Sequence, residues 1–439
     1  MKKILIISYF YPPCNLTASQ RVSGWANYLS EFGYYPIIVT RNWENKINST
    51  EDVLLSSGSE LIHEKNDNHE VYYLPYKASK RDEIYTKYKG KKSIQKLSKL
   101  FTFKDLVWEN YSNRAIPFSN IYDFSKSLIE KDKDIQLLLI SGNPFVQFKF
   151  GYDLNKQFGI KWIADYRDDW NTSELESNFG KVKQFVDKLQ TKSEKKWVGS
   201  AECITSVSKV YADKIGKFVN KKGHVILNGF DGIASENQIE INNSEFHITY
   251  NGSLYPTQPI EPILNTIKKL IHTEEIKLKI QVNFPGLAFD KSQKKRIELE
   301  MKGFEENIKI TERIPKDEVI SIQQNSDLLL MVAHKNIKGI PSSKLYEYIG
   351  LKKSVLLFPN DNDIIEETLN DCELGLICNS EDDIFNKLYK AIIDKQTGLI
   401  RVSNTDSSKI NFYSRKNQTE QLAKLFDSIL IKSIGGNSF

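Results

Sequence analysis

The sequence predicts an α/β protein made of two doubly wound domains, each with a parallel sheet covered by helices. Short apolar runs recur along the whole chain between stretches with helical periodicity. Most of these runs are continuously apolar, as expected of strands that are buried on both faces. The runs form two series, and each opens with a strong strand, at KILIISY and at FHITYN. Two domains of about 200 residues agree with the length of 439 residues.

The individual strands are predicted from β-branched and aromatic residues closed by polar ones. The first series contains KILIISY, PIIVT (36–40), VYYL (71–74), QLLLI (136–140), KWIA (161–164), CITSV (203–207) and HVIL (224–227). The second contains FHITYN (246–251), IKLKIQV (276–282), NIKIT (307–311), DLLLMVA (327–333), SVLLF (354–358) and LGLIC (374–378). Helical stretches between such runs are typical of a parallel sheet.

The boundary between the domains is predicted near residues 228–244, where NGFDG is followed by a polar stretch without apolar periodicity. We therefore expect an N-terminal domain over residues 1–230 and a C-terminal domain over 245–410. A last helix, 411–435, is expected to pack on the domains. Its apolar positions at helical spacing are Leu422, Leu425, Phe426, Ile429 and Leu430.

Composition and missing motifs exclude several classes of protein. The four cysteines are scattered without a C-x-x-C pair, so they predict neither a disulfide framework nor a zinc site and fit a reducing compartment. The sequence contains no Walker A motif, no G-x-S-x-G elbow and no H-x-x-x-H pair. The turn after the first strand has no glycine, which argues against a nicotinamide or flavin dinucleotide. The D-x-D pairs at 132–134 and 361–363 are interpreted as surface acids, so no metal site is predicted.

One stretch, residues 77–104, carries ten Lys or Arg against two acidic residues, interleaved with Tyr, Ile, Leu and Phe. It is interpreted as a solvated surface helix and loop, or as a basic amphipathic face for an anionic membrane or a lipid-phosphate acceptor. Nucleic acid is not expected as a partner, because no recognisable binding module accompanies the charge. No apolar run approaches the roughly 20 residues that span a bilayer. The chain is therefore expected to be cytoplasmic, alternatively peripheral at the inner membrane face.

Charged residues follow the predicted strand KWIA in the segment DYRDDW. Asp165, Arg167 and Asp168 come at the carboxyl end of a buried strand, where an open α/β sheet binds its ligands. We interpret them as a polar wall for a hydroxylated substrate, with an internal Asp–Arg ion pair as the alternative. Arg21, one turn into the first helix, is expected to face a phosphate or a surface carboxylate.

The strongest candidate for ligand binding is GIPSSKLYEYIG, residues 339–350. Ser342 and Ser343 are good N-cap residues for the helix that follows. Lys344 in the first turn is unfavourable next to the helix dipole, and a bound pyrophosphate would remove that penalty. Glu347, one turn further, is within reach of a pair of sugar hydroxyls. The segment predicts a phosphate site, and an exposed cap with an incidental lysine is the alternative.

In their order and spacing, these motifs resemble the retaining glycosyltransferases of family four, which have the GT-B fold of two facing Rossmann-like domains. The resemblance runs nearly end to end. It includes ILIISYFYPP with Arg21, GNP and DYRDDW, ILNGFD (226–231), YNGSLYPTQPIEPIL, GIPSSKLYEYIG and FYSRKNQTEQLAKLF. It implies transfer of a sugar from a nucleoside-diphosphate sugar to a hydroxyl of a glycan or lipid-linked acceptor, as in bacterial surface polysaccharide assembly. No cofactor is expected.

The resemblance implies roles for residues of the C-terminal domain. Glu347 is similar to the glutamate that holds the donor ribose hydroxyls, and Gly252 and Ser253 resemble the first donor-facing loop. The segment from Pro341 to Lys344, with Ser342 and Ser343, would lie at the diphosphate. Base recognition is expected near Arg313.

On the acceptor side, Arg167 stands where many relatives have a histidine, so an imidazole acid or base is excluded there. Arg167, Asp165 and Asp168 are the residues expected to carry catalysis.

Two further departures concern the donor side. Gly339 stands where a first glutamate is often found. No basic residue follows Gly252 until Lys268, so Lys344 is expected to supply the charge of the missing Arg/Lys pair. These departures motivate an alternative, a catalytically silent nucleotide-sugar or glycan-binding relative that acts as a partner subunit. A GT-B epimerase or phosphorylase is a third possibility.

Overall fold

A computed structural model describes residues 1–44, 47, 52–88, 91–172, 181–232, 244–335, 337–340, 342–399 and 406–434. The chain forms two compact units. The first combines Met1–Asn228 with Arg415–Phe439, and the second is Gly229–Ser414. The polar stretch predicted at the domain boundary falls largely on 233–243, outside the described residues. Each unit is built on a parallel or mainly parallel sheet with helices, so the predicted α/β fold class is confirmed.

The described strands of the first unit form one sheet in the order β3-β4-β2-β1-β5-β6-β7-β8, with β3 and β4 antiparallel and the other pairs parallel. These strands are β1 (Lys2–Ser8), β2 (Tyr34–Arg41), β3 (Ile62–Lys65), β4 (Glu70–Leu74), β5 (Ile135–Gly142), β6 (Trp162–Tyr166), β7 (Cys203–Ser206) and β8 (Gly223–Val225). The helices of the same part of the chain are α1 (Ala18–Tyr28), α2 (Lys80–Lys87), α3 (Lys92–Trp108), α4 (Ser119–Lys131), α5 (Phe148–Phe158), α6 (Lys181–Val198) and α7 (Lys209–Val219).

Strand β1 lies in the middle of this sheet, between β2 and β5. Its residues Ile4 to Ile7 are fully buried, which explains why the strand is continuously apolar. The chain reverses its direction of sheet growth between β1 and β5, and the carboxyl ends of these two strands therefore form the switch point at which open α/β sheets bind ligands.

The described strands of the second unit are all parallel and follow the order β11-β10-β9-β12-β13-β14. They are β9 (Glu245–Thr249), β10 (Lys279–Phe284), β11 (Ile308–Ile310), β12 (Leu328–Met331), β13 (Val355–Leu357) and β14 (Gly375–Ile377). The accompanying helices are α8 (Glu261–Ile271), α9 (Lys291–Glu300), α10 (Lys316–Gln324), α11 (Ser343–Gly350), α12 (Ile364–Asp371), α13 (Glu381–Gln396) and α14 (Ser407–Phe412). The switch point of this sheet lies between β9 and β12.

The last helix, α15 (Arg415–Ile434), returns to the first unit and packs on α1. Phe426 is fully buried there, with its ring centroid 5.2 Å from that of Tyr34. The hydroxyl of Tyr34 donates a hydrogen bond to Asp427 at 2.6 Å. The apolar stripe of the predicted helix thus covers the first sheet. No helix of the described part of the chain has the length and apolar character that a bilayer crossing demands.

Candidate functional site

The carboxyl ends of β9 and β12 bring two predicted segments together in the second unit. The loop after β9 contains Gly252 and Ser253, and the connection after β12 leads into α11, which begins at Ser343. Because β9 and β12 are neighbours in the sheet, both segments lie at its switch point.

Lys344 is the side chain that joins these segments. Its ammonium group donates a hydrogen bond to the main-chain oxygen of Ser253 at 3.1 Å and lies 3.4 Å from the hydroxyl of Tyr250. The same ammonium lies 4.9 Å from the centroid of the Tyr250 ring, a cation–π arrangement. The side chain of Lys344 therefore runs across the mouth of the loop after β9.

Gly252 gives this loop its shape. Its φ of 78° lies in the left-handed region that favours glycine. A Cβ atom at this position would lie 3.5 Å from Cε of Lys344. Its N–H group donates to the carbonyl of Pro285 at 3.1 Å, and the Tyr250 hydroxyl donates to the Ser253 oxygen at 2.8 Å. The loop is thus held by main-chain contacts directly beside the lysine.

The charge of Lys344 is not matched by an ion pair among the described residues. Burial lowers the pKa of its ammonium group from 10.5 to about 8, against weaker opposing effects of Tyr255 and Glu347. A half-buried cation that rests on a carbonyl oxygen and an aromatic face is suited to receive an anion, which would restore the lost solvation.

Helix α11 begins as the sequence predicts, with Ser342 as its N-cap and Ser343 as its first residue. The Ser342 side chain accepts no capping hydrogen bond. Glu347 comes three residues after Lys344, so both half-buried side chains lie on one side of the helix. Four neighbouring residues are buried on its other sides, namely Leu345, Tyr346, Tyr348 and Ile349. Pro341, which was predicted at the diphosphate, lies outside the described residues.

The backbone conformation explains why glycine stands at position 339, where a first glutamate was looked for in the sequence. Gly339 has a φ of 79°, a left-handed conformation that side chains other than glycine rarely adopt. Its N–H group donates a hydrogen bond to the carboxylate of Asp363 at the N-cap of α12. The chain is therefore built for glycine at this point.

Arg313 follows β11, which is two strands away from β9 in the sheet. Arg313 is an exposed residue, and its guanidinium lies 4.0 Å from the ring centroid of Phe289. Partial burial lowers the pKa of Arg313. Arg313 and Ser253 therefore lie at the same edge of the sheet, with strand β10 between the strands that they follow.

His334, which belongs to none of the motifs predicted from the sequence, comes three residues after β12. Its Nδ1 atom lies 2.7 Å from the hydroxyl of Thr257, and its ring centroid is 5.5 Å from that of Tyr255. Burial, reinforced by the nearby Lys344, lowers the pKa of His334 and so favours the neutral imidazole. Its place directly after the predicted strand DLLLMVA was the signal available in the sequence.

In the first unit, Asp165 lies in the interior and forms a complete set of contacts. Its carboxylate forms an ion pair with Arg21 at 2.8 Å, and both side chains are almost fully buried. Ser141 and Thr205 donate hydrogen bonds to it at 2.8 and 2.7 Å. The expectation that Arg21 faces a phosphate or a surface carboxylate was wrong, because its partner is a buried carboxylate on β6.

Arg167 and Asp168 are oriented differently from Asp165. The guanidinium of Arg167 donates two hydrogen bonds to one carboxylate oxygen of Asp168, at 3.2 and 3.0 Å, and Asp168 is exposed. The same guanidinium lies 6.0 Å from the ring centroid of Phe10, which follows β1. These groups therefore stand at the switch point of the first sheet, next to a partly exposed aromatic ring.

Buried and partly buried residues outside the predicted site stabilise the rest of this loop. Trp170 stacks on Phe145 with ring centroids 5.3 Å apart. Glu194, fully buried in α6, accepts hydrogen bonds from Tyr166 at 2.9 Å and from Asn171 at 2.6 Å. Burial raises the pKa of Glu194. These contacts position the loop that carries Arg167 and Asp168, and they link residues too distant in the sequence to leave a local pattern.

The described residues contain no group of three or more His, Cys, Asp or Glu side chains that could hold a metal ion. The four cysteines are buried and free.

No family model matches the sequence, and no curated protein matches it. Solved structures do match over nearly the whole chain. Sucrose-phosphate synthase from Thermosynechococcus elongatus has a TM-score of 0.63 at 12% identity, with 98% of this chain and 100% of that chain covered. The UDP-forming α,α-trehalose-phosphate synthase from Burkholderia xenovorans, in complex with glucose-6-phosphate, has a TM-score of 0.60 at 10% identity, with 97% and 99% covered.

HepE from Anabaena, in complex with UDP and glucose, has a TM-score of 0.57 at 11% identity, with 98% of this chain and 100% of that chain covered. Identity at this level bears on the fold and not on the activity. The two doubly wound units of this chain therefore adopt the GT-B fold of these glycosyltransferases.

Proposed function

We propose that the chain is a glycosyltransferase that moves a sugar from a nucleoside-diphosphate sugar to a hydroxyl group of an acceptor. The observation that carries this proposal is the contact between the Lys344 ammonium and the Ser253 carbonyl at the β9/β12 switch point. It joins a cation, a helix N-terminus and a glycine turn at one place, and each of these features favours the binding of a diphosphate.

The donor site divides between the residues of α11 and the loop after β9. Lys344 and the N-terminal amides at Ser342 and Ser343 would stabilise the charge that develops on the departing diphosphate. Glu347 would accept hydrogen bonds from the ribose hydroxyls. The lack of a side chain at Gly252 lets the donor approach the main chain closely. In this proposal, Lys344 supplies the cation that the resemblance leads one to expect just after Gly252.

The base would be recognised toward Arg313, at the adjacent part of the same sheet edge. The residue is exposed, and its guanidinium rests on Phe289. A flat cation beside an aromatic ring offers stacking and hydrogen-bond donors to a nucleobase. Its role is the most peripheral of those proposed for the donor site.

On the acceptor side, we propose that Arg167 and Asp168 bind hydroxyl groups of the acceptor and orient the attacking one. The paired guanidinium and carboxylate offer hydrogen-bond donors and acceptors side by side. Asp165 would act through this loop as a positioning residue, since its own carboxylate is consumed by Arg21, Ser141 and Thr205. Retention of the anomeric configuration is proposed from the resemblance to family four.

The acceptor is proposed to be a glycan or a lipid-linked saccharide in bacterial surface polysaccharide assembly, which corresponds to a cytoplasmic enzyme at the inner membrane face. The basic stretch 77–104 supports a membrane-proximal place of work. Related folds support the donor class: HepE is described in complex with UDP and glucose, and the trehalose-phosphate synthase is named UDP-forming.

A catalytically silent partner subunit is the second candidate, and Gly339 favours it. The left-handed conformation at this residue excludes an easy return of the first glutamate. Such a relative would bind the donor and never turn it over.

A thermal-shift screen against nucleoside diphosphates and nucleotide sugars tests the proposal. We expect stabilisation by at least one nucleotide sugar, and its loss in Lys344→Met and Glu347→Ala. Lys390→Met, an exposed lysine on α13, is the matched control and should respond as the wild type does. Unchanged donor affinity in both site variants would refute the donor site. Donor binding without turnover in the presence of a membrane extract as acceptor source would support the silent subunit.

A further inference from the structure

Two helices of the first unit that are far apart in sequence form one basic surface. Helices α3 and α6 together carry ten lysines against three acidic residues, whereas the excess of positive charge in the whole chain is only five. The sequence pattern of 77–104 covers α3 but not α6. Positive charge is therefore concentrated on this helix pair, since the rest of the chain has no positive excess.

Two contacts define how these helices lie against each other. The ring centroids of Phe103 and Phe185 are 6.2 Å apart, and the hydroxyl of Ser193 donates a hydrogen bond to the side chain of Asn110. In both segments the second contact comes about two helical turns after the first. The two helices therefore run side by side in the same direction.

Each helix exposes apolar and basic side chains next to this line of contact. On α3 these are Leu100, Lys104 and Trp108, with Leu100 63% and Trp108 55% exposed. On α6, Phe185 is 55% exposed and is followed on the same side of the helix by the exposed Lys188 and Lys192. In a helical projection with about 100° per residue, the exposed side chains of α3 lie clockwise of the residues that contact α6. Those of α6 lie anticlockwise of the residues that contact α3. Because the helices are parallel, both groups face the same side.

The acidic residues of these helices do not cancel this charge. Asp105 of α3, and Glu109 directly after this helix, are half-buried and interact with Arg81 of α2. Glu194 of α6 is fully buried. Asp187 is partly buried and lies on the far side of α6 from Phe185. The exposed side of the pair is thus basic, with large apolar side chains among the lysines.

We propose that the exposed side of α3 and α6, defined by Leu100, Lys104, Trp108, Phe185, Lys188 and Lys192, is a docking surface for an anionic phospholipid bilayer. Lysines attract the headgroups, and the apolar side chains enter the boundary between headgroups and acyl chains. Trp108, and the neighbouring Tyr111 at 70% exposure, are the residue types favoured at that depth. Charge complementarity selects the anionic bilayer over a neutral one.

Vesicle cosedimentation of the full chain tests this surface. We expect binding to phosphatidylcholine vesicles that contain about one third phosphatidylglycerol, and little binding to phosphatidylcholine alone. Binding should weaken as salt is raised, because the attraction is screened. Failure of the intact protein to bind the anionic vesicles at low salt would overturn the proposal and leave the surface to a protein partner.

Two double variants separate the contributions of charge and apolar contact. Lys188→Glu with Lys192→Glu, and Trp108→Ala with Phe185→Ser, should each lower the partition coefficient by about tenfold or more. Lys295→Glu with Lys302→Glu makes the same charge change at exposed lysines of the second unit and should leave binding unchanged. Equal losses in this control and in the first variant would show a net-charge effect and overturn the surface.

The proposal does not depend on the donor site. Stabilisation by a nucleotide sugar is expected to be the same in the wild type and in both surface variants, which also reports that they fold. A chain that binds vesicles but no nucleotide would refute the proposed function and leave this surface intact. The reverse result would remove the surface together with the proposed membrane-proximal placement, and it would leave the donor site intact.

Discussion

The ammonium group of Lys344 lies 3.1 Å from the main-chain oxygen of Ser253, a residue 91 positions earlier in the chain. The backbone of Lys344 belongs to the first turn of α11, whereas its ammonium group lies on the loop after β9. The contact therefore joins two separate segments into one site. In the proposed donor site, this contact supplies the loop with a cation that its own sequence lacks.

Replacement of Lys344 by methionine should weaken donor binding by about 10- to 100-fold, because a charged hydrogen-bond donor to the diphosphate is lost. Isothermal titration calorimetry with the nucleotide sugar found by thermal shift measures this directly. The exposed Lys390→Met should bind as tightly as the wild type. A loss of less than about twofold in Lys344→Met would remove the lysine from the donor site.

The pH dependence of donor binding should follow the same group. Because burial lowers the pKa of Lys344 to about 8, its charge is present below that value and lost above it. The donor dissociation constant should therefore rise above about pH 8, by up to about tenfold per pH unit. A nucleotide sugar is the suitable ligand, since its diphosphate diester does not titrate there. In Lys344→Met the constant should stay flat, and a flat wild-type profile would contradict this assignment.

The same lysine should cost stability when no donor is bound. Since the pKa of Lys344 falls from 10.5 in the unfolded chain to about 8 in the folded one, the unfolded state binds more protons between these values. The free energy of unfolding therefore rises with pH through this window. At pH 7, Lys344→Met is expected to melt at a higher temperature than the wild type. This difference should shrink at pH values above about 10.5, and a lower melting temperature at pH 7 would count against a strained cation.

Gly339 tests whether the backbone excludes the missing glutamate. Gly339→Ala and Gly339→Glu should each lower the free energy of unfolding by about 1–2 kcal/mol, because both place a side chain on a left-handed residue. Urea denaturation measures the change, and alanine separates the backbone effect from that of charge. Wild-type stability together with higher turnover in Gly339→Glu would show that the glutamate was merely absent and not excluded.

Asp165 and Asp168 should behave oppositely although they are three residues apart. Asp165→Asn leaves Arg21 buried without a counter-charge and should cost about 3–5 kcal/mol in the free energy of unfolding. Asp168→Asn, at an exposed position, should change it by less than about 0.5 kcal/mol and raise the acceptor KM instead. Similar stabilities in urea for the two variants would refute the distinction.

The two sheets could be predicted because buried parallel strands are continuously apolar, as Ile4 to Ile7 illustrate. Strand β3, Ile62–Lys65, escaped prediction for the opposite reason. It is an edge strand whose four residues are all exposed, so no burial pattern marks it. The C-terminal helix was predicted from its stripe, but its attachment to the first unit depends on contacts such as that between Tyr34 and Phe426.

The candidate site was predictable only where its residues are local. Ser342, Lys344 and Glu347 stand within one helix start, and that pattern can be read directly. The pairing of Arg21 with Asp165 links positions 144 residues apart, and nothing in either local sequence specifies the other. Sequence reasoning therefore found charged residues at a strand end but could not tell which of them is consumed inside the unit.

The anchoring of the chain where it leaves and re-enters the first unit has a practical consequence. Arg415 donates a hydrogen bond to the carbonyl of Asn228 at 3.2 Å, and in the second unit Phe230 pairs with Ser414. The second unit is thus inserted into the sequence of the first, and its two ends lie side by side. Residues 229–414 can therefore be produced as one continuous polypeptide. The first unit can be produced with a few linking residues between Asn228 and Arg415. Nucleotide binding and vesicle binding can then be assigned to separate proteins.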